Sequence, residues 1–459
     1  MKRAYLITII ALLSLTGLSA LTLSESLELA KLNNKSLLSA KEDIFMADQT
    51  YYQVRGYLLP QVTIQGGYQL NTTWLPNSAQ PGRMDFSENL SEFASSDDST
   101  LAGILTGLAN SFIPSQPQKE GSLAAQAKLE QVLFSGGKLI NGLNAVGRFR
   151  SIQKLRYRLQ EQTLIAQTTD MFYQTILAQK VYAVQQEALD IASRHLQRVE
   201  LLNREGQVSE YDMLRARLEV AKLKPNVVAA QNNYNLALSA FRNQIGYKDS
   251  LLSLEGDFVL PETRSEDLNT AQAKAVEQRI ELQLTDINTE IMKIKYNAER
   301  GNYLPNVGLS ASYSLFTAAD EYAIENDDFG TSLSLGIGFS IPLFTGFTNT
   351  AKRSYAKHEY YQSVINADNT KEMIELEVKQ AWQNLQYALE NYKVQSENIN
   401  LAERSVQLAQ VRFENQVGIQ LEVFDAQITL NSVKLGYYNS IFEVISANQK
   451  LTKAMGYNL

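Results

Sequence analysis

The 459-residue chain has no cysteine and two histidines, so its capacity for chemistry rests mainly on carboxylates. His195 and His358 lie far apart inside helical pattern and do not form a ligand or catalytic pair. No nucleophile elbow appears, and Ser135-Gly136-Gly137-Lys138 lacks the spacing and the Ser/Thr of a phosphate-binding loop. It reads as a turn from strand to helix. Among 49 acidic residues many chance pairs are expected. Two placements stand out. Glu422 and Asp425 are i, i+3 on one predicted helix and share a face. Asp212 follows Ser209 in an S-x-x-D pattern. A shared carboxylate face can concentrate cations and offer oxygen ligands to polyvalent ones. The same residues also suit helix N-termini, where a cap contributes ~1 kcal/mol. The chain reads as a non-enzyme with no cofactor and no resident metal.

The formal net charge is −7 and no basic block occurs, so nucleic acid is not an expected partner. Residues 1–20 read as a signal peptide: Lys2 and Arg3, an apolar run from Ala4 to Leu18, then Ser19 and Ala20. The run is short for a membrane anchor, which needs ~20 residues. No later stretch approaches the length of a transmembrane helix.

What must position the carboxylates is an internal repeat. "VRGYLLPQVTIQGGYQL" (54–70) answers "ERGNYLPNVGLSASYSL" (299–315), displaced by 245 residues. "LFSGG" (133–137) answers "LFTGF" (343–347), displaced by 210, and that shift holds to the end of each half. The first repeat spans 21–246, a linker 247–266, and the second repeat 267–459. Expected elements of the first are helix 24–57, strands 61–71 and 122–134, and helices 140–204 and 209–245. Those of the second are helix 267–302, strands 306–316 and 331–343, and helices 350–414 and 420–456. Pro60 and Pro305 end the first helix of each half, because proline cannot extend a helix and biases its predecessor to extended backbone.

The strands alternate with period two. In "SLSLGIGFSIPLFTGF" (332–347) Leu333, Leu335, Ile337, Phe339, Ile341 and Leu343 are apolar, with Ser and Gly between them up to Ser340. At ~10 residues or more, each strand is long enough to cross a bilayer at a tilt. The pattern alone also suits a soluble sheet packed on helices, although four strands of one length are few for so helical a chain. On the long helices, Leu189, Ala192, Leu196, Val199 and Asn203 are spaced 3, 4, 3, 4, as are Ile399, Ala402, Val406, Ala409 and Phe413. That is a coiled-coil seam. Pro225 is expected to kink helix 209–245.

With the duplication, these pieces resemble the TolC-type outer-membrane factor family over essentially the whole mature chain. The carriers are Pro60 and Pro305, the endings "LFSGG" and "IPLFTGF", and the segments "EGQVSEYDMLRARLE" (205–219) and "RFENQVGIQLEVFDAQ" (412–427). The resemblance implies a membrane α+β fold. It is a homotrimer whose twelve strands, four per chain, form one outer-membrane β-barrel continuous with a periplasmic tunnel of helices. It implies an exit duct of a tripartite efflux pump, partnered by a periplasmic adaptor and an inner-membrane transporter of the RND, ABC or similar class. The alternatives are the channel of a type I protein secretion system and, less favoured, a periplasmic coiled-coil scaffold without a pore. It also implies that Asp212, Glu422 and Asp425 narrow the periplasmic end, and that the turns at Gly206, Gln207, Val417 and Gly418 meet the adaptor. For Asp212 the cap and the aperture both remain open. Where some members carry a Tyr and an Arg that tie the aperture shut, this chain has Phe413 and Gly418, so that device is missing. Gln416 stands where the first turn has Gly206. Segment 72–121 joins the first two strands and is expected outside the cell.

Overall fold

The computed structural model describes residues 21–73, 106, 108, 118–248, 252–256, 258–263, 266–320, 329–415 and 417–457. The expected signal peptide, nearly all of segment 72–121, and Gln416 lie outside them. In order the elements are α1 Leu23–Asn33, α2 Lys35–Gly56, β1 Gln61–Thr73, β2 Gln118–Ser135, α3 Lys138–Arg204 and α4 Glu210–Ile245. The second repeat adds α5 Leu268–Gln278, α6 Ile280–Arg300, β3 Asn306–Asp320, β4 Gly330–Ser340, α7 Thr348–Glu414 and α8 Gln420–Ala454. Two compact units result. One holds residues 52–143 and 295–354, and the other holds 21–51, 144–294 and 355–459 among the described residues.

The first unit is built on an antiparallel sheet of four strands in the order β1-β2-β3-β4. Its register keeps the apolar rows aligned. Ile64 faces Ala127, Ala127 faces Tyr313, and Tyr313 faces Leu333. The small Ala127 therefore lies between Ile64 and Tyr313, and Tyr313 meets Leu333 in an aromatic–aliphatic cross-strand pair. β2 and β3 join the two repeats. Their junction brings Gly136 and Gly301 into backbone contact: a Cβ on Gly136 would lie 2.2 Å from the Gly301 carbonyl oxygen. Gly136 and Gly137 turn the chain from β2 into α3 with φ of 64° and 78°. Gly346 and Phe347 repeat that turn with φ of 58° and 64°.

The second unit is helical, with the two repeats building matching cores. Ala30, Leu37, Leu164, Phe241 and Ile245 pack in the first, and Ala275, Leu282, Ile374, Leu451 and Met455 in the second. Each residue of one set corresponds to a residue of the other through the repeat. The linker is not a free tether, since Leu252 and Phe258 are buried in the first core and the Leu21 N–H donates to the Ser253 carbonyl at 2.9 Å.

The single helices expected at 24–57 and 267–302 are corrected to pairs, broken at Asn34 and Arg279, which turn extended with ψ of 121° and 125°. Both are polar residues whose side chains replace the lost helical continuity. Asn34 Oδ1 accepts the N–H groups of Ser36 and Leu37, while its Nδ2 donates to the Gln244 carbonyl. Arg279, at the same place in the repeat, donates to the matching carbonyl of Ala454. Pro225 lies inside α4, which continues past it. No helix among the described residues is long and apolar enough to cross a membrane.

Candidate functional site

The turn from α3 to α4 closes with the Gln207 N–H donating to the Leu202 carbonyl at 2.9 Å, and Gly206 takes φ 71°. This is a six-residue C-terminal closure that needs a left-handed residue. The turn from α7 to α8 makes the same bond, from the Val417 N–H to the Arg412 carbonyl at 2.9 Å. The displacement of 210 thus passes through the second turn unbroken. Gly418 serves a different purpose, because a Cβ there would come within 3.0 Å of both Arg412 Cβ and Glu422 Oε2.

The structure brings the two turns to one place. Gln207, Val208, Ser209 and Asp212 share a cavity of about 260 Å³ with Phe413, Ile419 and Gln420. Ser209 is the N-cap of α4: its Oγ accepts the Asp212 N–H at 3.1 Å and donates to Asp212 Oδ2 at 2.6 Å. Ile419 occupies the equivalent position before α8 and supplies no side-chain cap. Glu422 lies in the first turn of α8, 3.6 Å from Arg412 Nε, with both side chains about half exposed. Asp425 is exposed one turn further on. Pro60 and Pro305 stand immediately before β1 and β3, in the other unit.

His195, on α3, is the residue at this site that sequence reasoning missed. Its imidazole packs edge-on against Phe424, with centroids 4.8 Å apart, and lies 6.4 Å from Phe413. The Gln420 side-chain amide hydrogen-bonds His195 Nε2, so the neutral ring accepts from α8. Burial, and then Arg198, hold the imidazole below its ordinary pKa. Arg198 itself reaches toward Glu414 at 4.0 Å, and Lys434 on α8 binds Glu187 on α3 at 2.9 Å. Phe413, which lacks the hydroxyl of a Tyr, contributes packing where a hydrogen bond was missing. No local pattern announces a contact between positions 225 residues apart. Among the described residues no group of three or more His, Asp or Glu side chains is placed to hold a metal. The arrangement ties two helical hairpins together and presents carboxylates beside their turns; it holds no acid, base and nucleophile in mutual reach.

A family model described as "Outer membrane efflux protein" matches residues 26–247 and 271–457. Its two segments begin 245 residues apart and end 210 apart, the displacements of the repeat. The outer membrane protein TolC of Salmonella enteritidis is 20% identical over 466 residues, spanning 99% of this chain and 87% of the relative. The outer membrane efflux protein BepC of Brucella suis biovar 1 is 23% identical over 332 residues, spanning 72% and 71%. In fold, a crystal structure of CusC superposes with a TM-score of 0.73 at 16% identity, covering 95% of this chain and 92% of that one. The open-state MtrE channel of Neisseria gonorrhoeae gives 0.71 at 15% identity, covering 95% and 89%.

Proposed function

We propose, from the premise that this chain belongs to the outer membrane efflux protein family, that it is the passive exit duct of a tripartite efflux pump. Family membership makes it a non-enzymatic efflux channel of the outer membrane that extends into the periplasm. The further reading is that three copies close their sheets into a twelve-stranded barrel and their helices into a periplasmic tunnel. A periplasmic adaptor then joins the turns at Gly206, Gln207, Val417 and Gly418 and links the duct to an inner-membrane transporter.

One observation carries this reading. Leu333, Leu335, Ile337 and Phe339 on β4 are 69–77% exposed in the single chain, in line with exposed Ile64 and Tyr313 on β1 and β3. An apolar sheet face of that extent suits lipid, while the opposite face carries Ser310, Ser312, Ser334 and Gly336 and suits water. An open sheet leaves unpaired backbone at β1 and β4, which hydrocarbon does not tolerate, so the sheet must close with other copies.

The channel role is supported by the carboxylates beside the turns. Asp212, Glu422 and Asp425 are placed, in this reading, around the periplasmic aperture. The contacts His195–Gln420 and Arg412–Glu422 take the place of the tether that Phe413 and Gly418 cannot make. The test is isolation of outer membranes, mass measurement of the detergent-extracted protein, and crosslinking in cells to recover its partners. A trimer recovered with an adaptor and a drug or metal transporter supports the pump. Recovery with a polypeptide-exporting ABC transporter assigns a type I secretion channel instead. A monomeric periplasmic protein overturns the duct.

A further inference from the structure

The two helical hairpins are repeat equivalents, yet their seams are not closed in the same way. In the first, Arg217 on α4 grips Glu200 on α3, with Nε and Nη2 donating to Glu200 Oε1 at 3.0 and 2.9 Å. The equivalent positions of the second hairpin, displaced by 210, are Gln427 on α8 and Gln410 on α7. Neither of these side chains makes a hydrogen bond among the described residues, and nor does that of Asn431, one turn beyond Gln427. All three carboxamides line a cavity of about 440 Å³ whose walls come from α3, α4, α7 and α8. That volume lies within the ~300–1,000 Å³ range of small-ligand sites.

The rest of the lining is that of a ligand pocket, apolar and aromatic with a few polar groups. Ile191, Leu223, Phe413, Val423, Phe424 and Ile428 supply the apolar part. His195 lines the cavity beside them. Its Nε2 accepts from Gln420, so the proton of the neutral ring sits on Nδ1, a donor with no protein acceptor among the described residues. The charges divide unequally. Glu219 is held by Lys222 at 2.9 Å, and Glu414 lies 4.0 Å from Arg198. Arg194 makes no ion pair among the described residues. The formal charges of the lining cancel, but both carboxylates have a cation and one guanidinium has no anion. The charge felt by the His195 ring is likewise cationic and comes from Arg198.

We propose that this cavity binds a small planar aromatic carboxylate, with its ring among Phe413, Phe424 and His195 and its carboxylate on Arg194. A guanidinium recognises a carboxylate through two parallel hydrogen bonds. Aromatic rings are favoured edge-to-face or offset-stacked, an arrangement that Phe424 and His195 already adopt at 4.8 Å. The carboxamides of Gln410, Gln427 and Asn431 and the Nδ1–H of His195 offer donors to the second carboxylate oxygen or to ring substituents. Such a ligand touches both hairpins, so its binding energy holds them together. The site lies within one chain and goes beyond the exit-duct reading. Only the consequence that an occupied cavity favours a closed aperture rests on that reading.

The experiment titrates 2-naphthoate into detergent-extracted full-length protein at pH 7.5 by isothermal calorimetry. 2-Naphthamide and 2-naphthylmethylammonium serve as the neutral and cationic counterparts. The expected result is one 2-naphthoate per chain, bound roughly tenfold more tightly than either counterpart, as one charge-assisted pair provides. Arg194→Gln removes the anchor without breaking an ion pair and should weaken binding roughly tenfold as well. Gln410→Glu/Gln427→Arg places the ion pair of the first hairpin inside the cavity and should abolish binding while keeping the fold. Hydrogen exchange across 417–425 should slow by about tenfold when 2-naphthoate is present at ten times its Kd. A double variant that binds as the parent overturns the cavity, and an Arg194→Gln variant that does so overturns the anchor. Equal affinity for all three probes overturns the ligand class. One 2-naphthoate per three chains places the probe on a shared axis and overturns the site within the chain. Binding is counted per chain, so it stands or falls separately from the mass measurement that tests the duct.

Discussion

Arg279 Nη2 donates to Glu377 Oε2 at 2.9 Å, and this contact pins the break between α5 and α6 to the long helix α7. The guanidinium is almost fully buried, and its remaining donors reach Glu281 and the carbonyls of Lys453 and Ala454. Arg279→Ala strands two carboxylates and the Ala454 carbonyl at once, while the Lys453 carbonyl keeps the Gly456 N–H at 2.9 Å. Both glutamates are partly exposed to water, which softens the loss, so the expected destabilisation is about 2–3 kcal/mol. A lower thermal midpoint by circular dichroism in detergent checks it. Arg279→Lys recovers only part, because an ammonium cannot reproduce the planar fork. A midpoint equal to the parent for Arg279→Ala rules out the pinning role.

Much of this architecture was legible in the sequence because it is repeated. Pro60 and Pro305 mark the entry to β1 and β3, the displacement of 210 carries the long helices into register, and period-two alternation marks the strands. The breaks at Asn34 and Arg279 were not legible. Each is a polar residue inside an unbroken amphipathic pattern, and each break is stabilised by a carbonyl at the end of a helix about two hundred residues away. His195 was hidden for the same reason. A lone histidine on a helix is unremarkable until Gln420 and Phe424 arrive from another hairpin. Asp212 reads the same way in both descriptions, since S-x-x-D is a local pattern and the cap forms locally.

The contact of Gly136 with Gly301 predicts intolerance of any side chain. A Cβ on Gly301 would stand 2.3 Å from the Gly136 carbonyl oxygen, so the backbone must move. Gly301→Ala is expected to cost about 1–3 kcal/mol, the usual penalty for overpacking. Its heat-modifiability on gels should shift to lower temperature by several degrees. Gly142→Ala meets nothing within 4 Å and is expected to behave as the parent. If the two variants are indistinguishable, the close approach carries no energetic weight.

Acid should loosen the hairpins at His195. Burial, then Arg198, holds its pKa below the unfolded value of 6.5. The sign follows from linkage: the unfolded or detached state takes up a proton first. The contact is therefore at full strength above pH ~6.5 and weakens as pH falls from there toward the lower folded value. Protonation also removes the acceptor that Gln420 uses. The charged groups lining the two cavities beside the ring are Arg194 and Arg198 on α3, Asp212 and Glu219 on α4, and Glu414 on α7. Hydrogen exchange across 417–425 is expected to quicken at pH 5.5 relative to pH 7.5 beyond the intrinsic pH effect. His195→Gln keeps a polar partner and should abolish the difference. A pH response that survives this substitution places the titrating group elsewhere.

The last expectation concerns ion selectivity and rests on the aperture reading of Glu422 and Asp425. The two carboxylates are i, i+3 on α8 and so lie on one face. Three copies around one axis would place a ring of each at the constriction. Like charges gathered there raise the local cation concentration and offer oxygen ligands to polyvalent cations. The channel should therefore be cation-selective and blocked from the periplasmic side by di- and trivalent cations. Glu422 is paired with Arg412 at 3.6 Å, which reduces but does not cancel its field, since both side chains are about half exposed. Asp425 consequently carries more of the effect, and Asp425→Asn alone should weaken block more than Glu422→Gln alone. The double variant should lower both selectivity and block while leaving the oligomer intact, because Glu422 in the first helical turn contributes only ~0.3–1 kcal/mol and Asp425 is exposed. Single-channel recording in a planar bilayer under a salt gradient measures both. A reversal potential and a block unchanged in the double variant would mean that these carboxylates face away from the pore and serve the N-terminus of α8 alone.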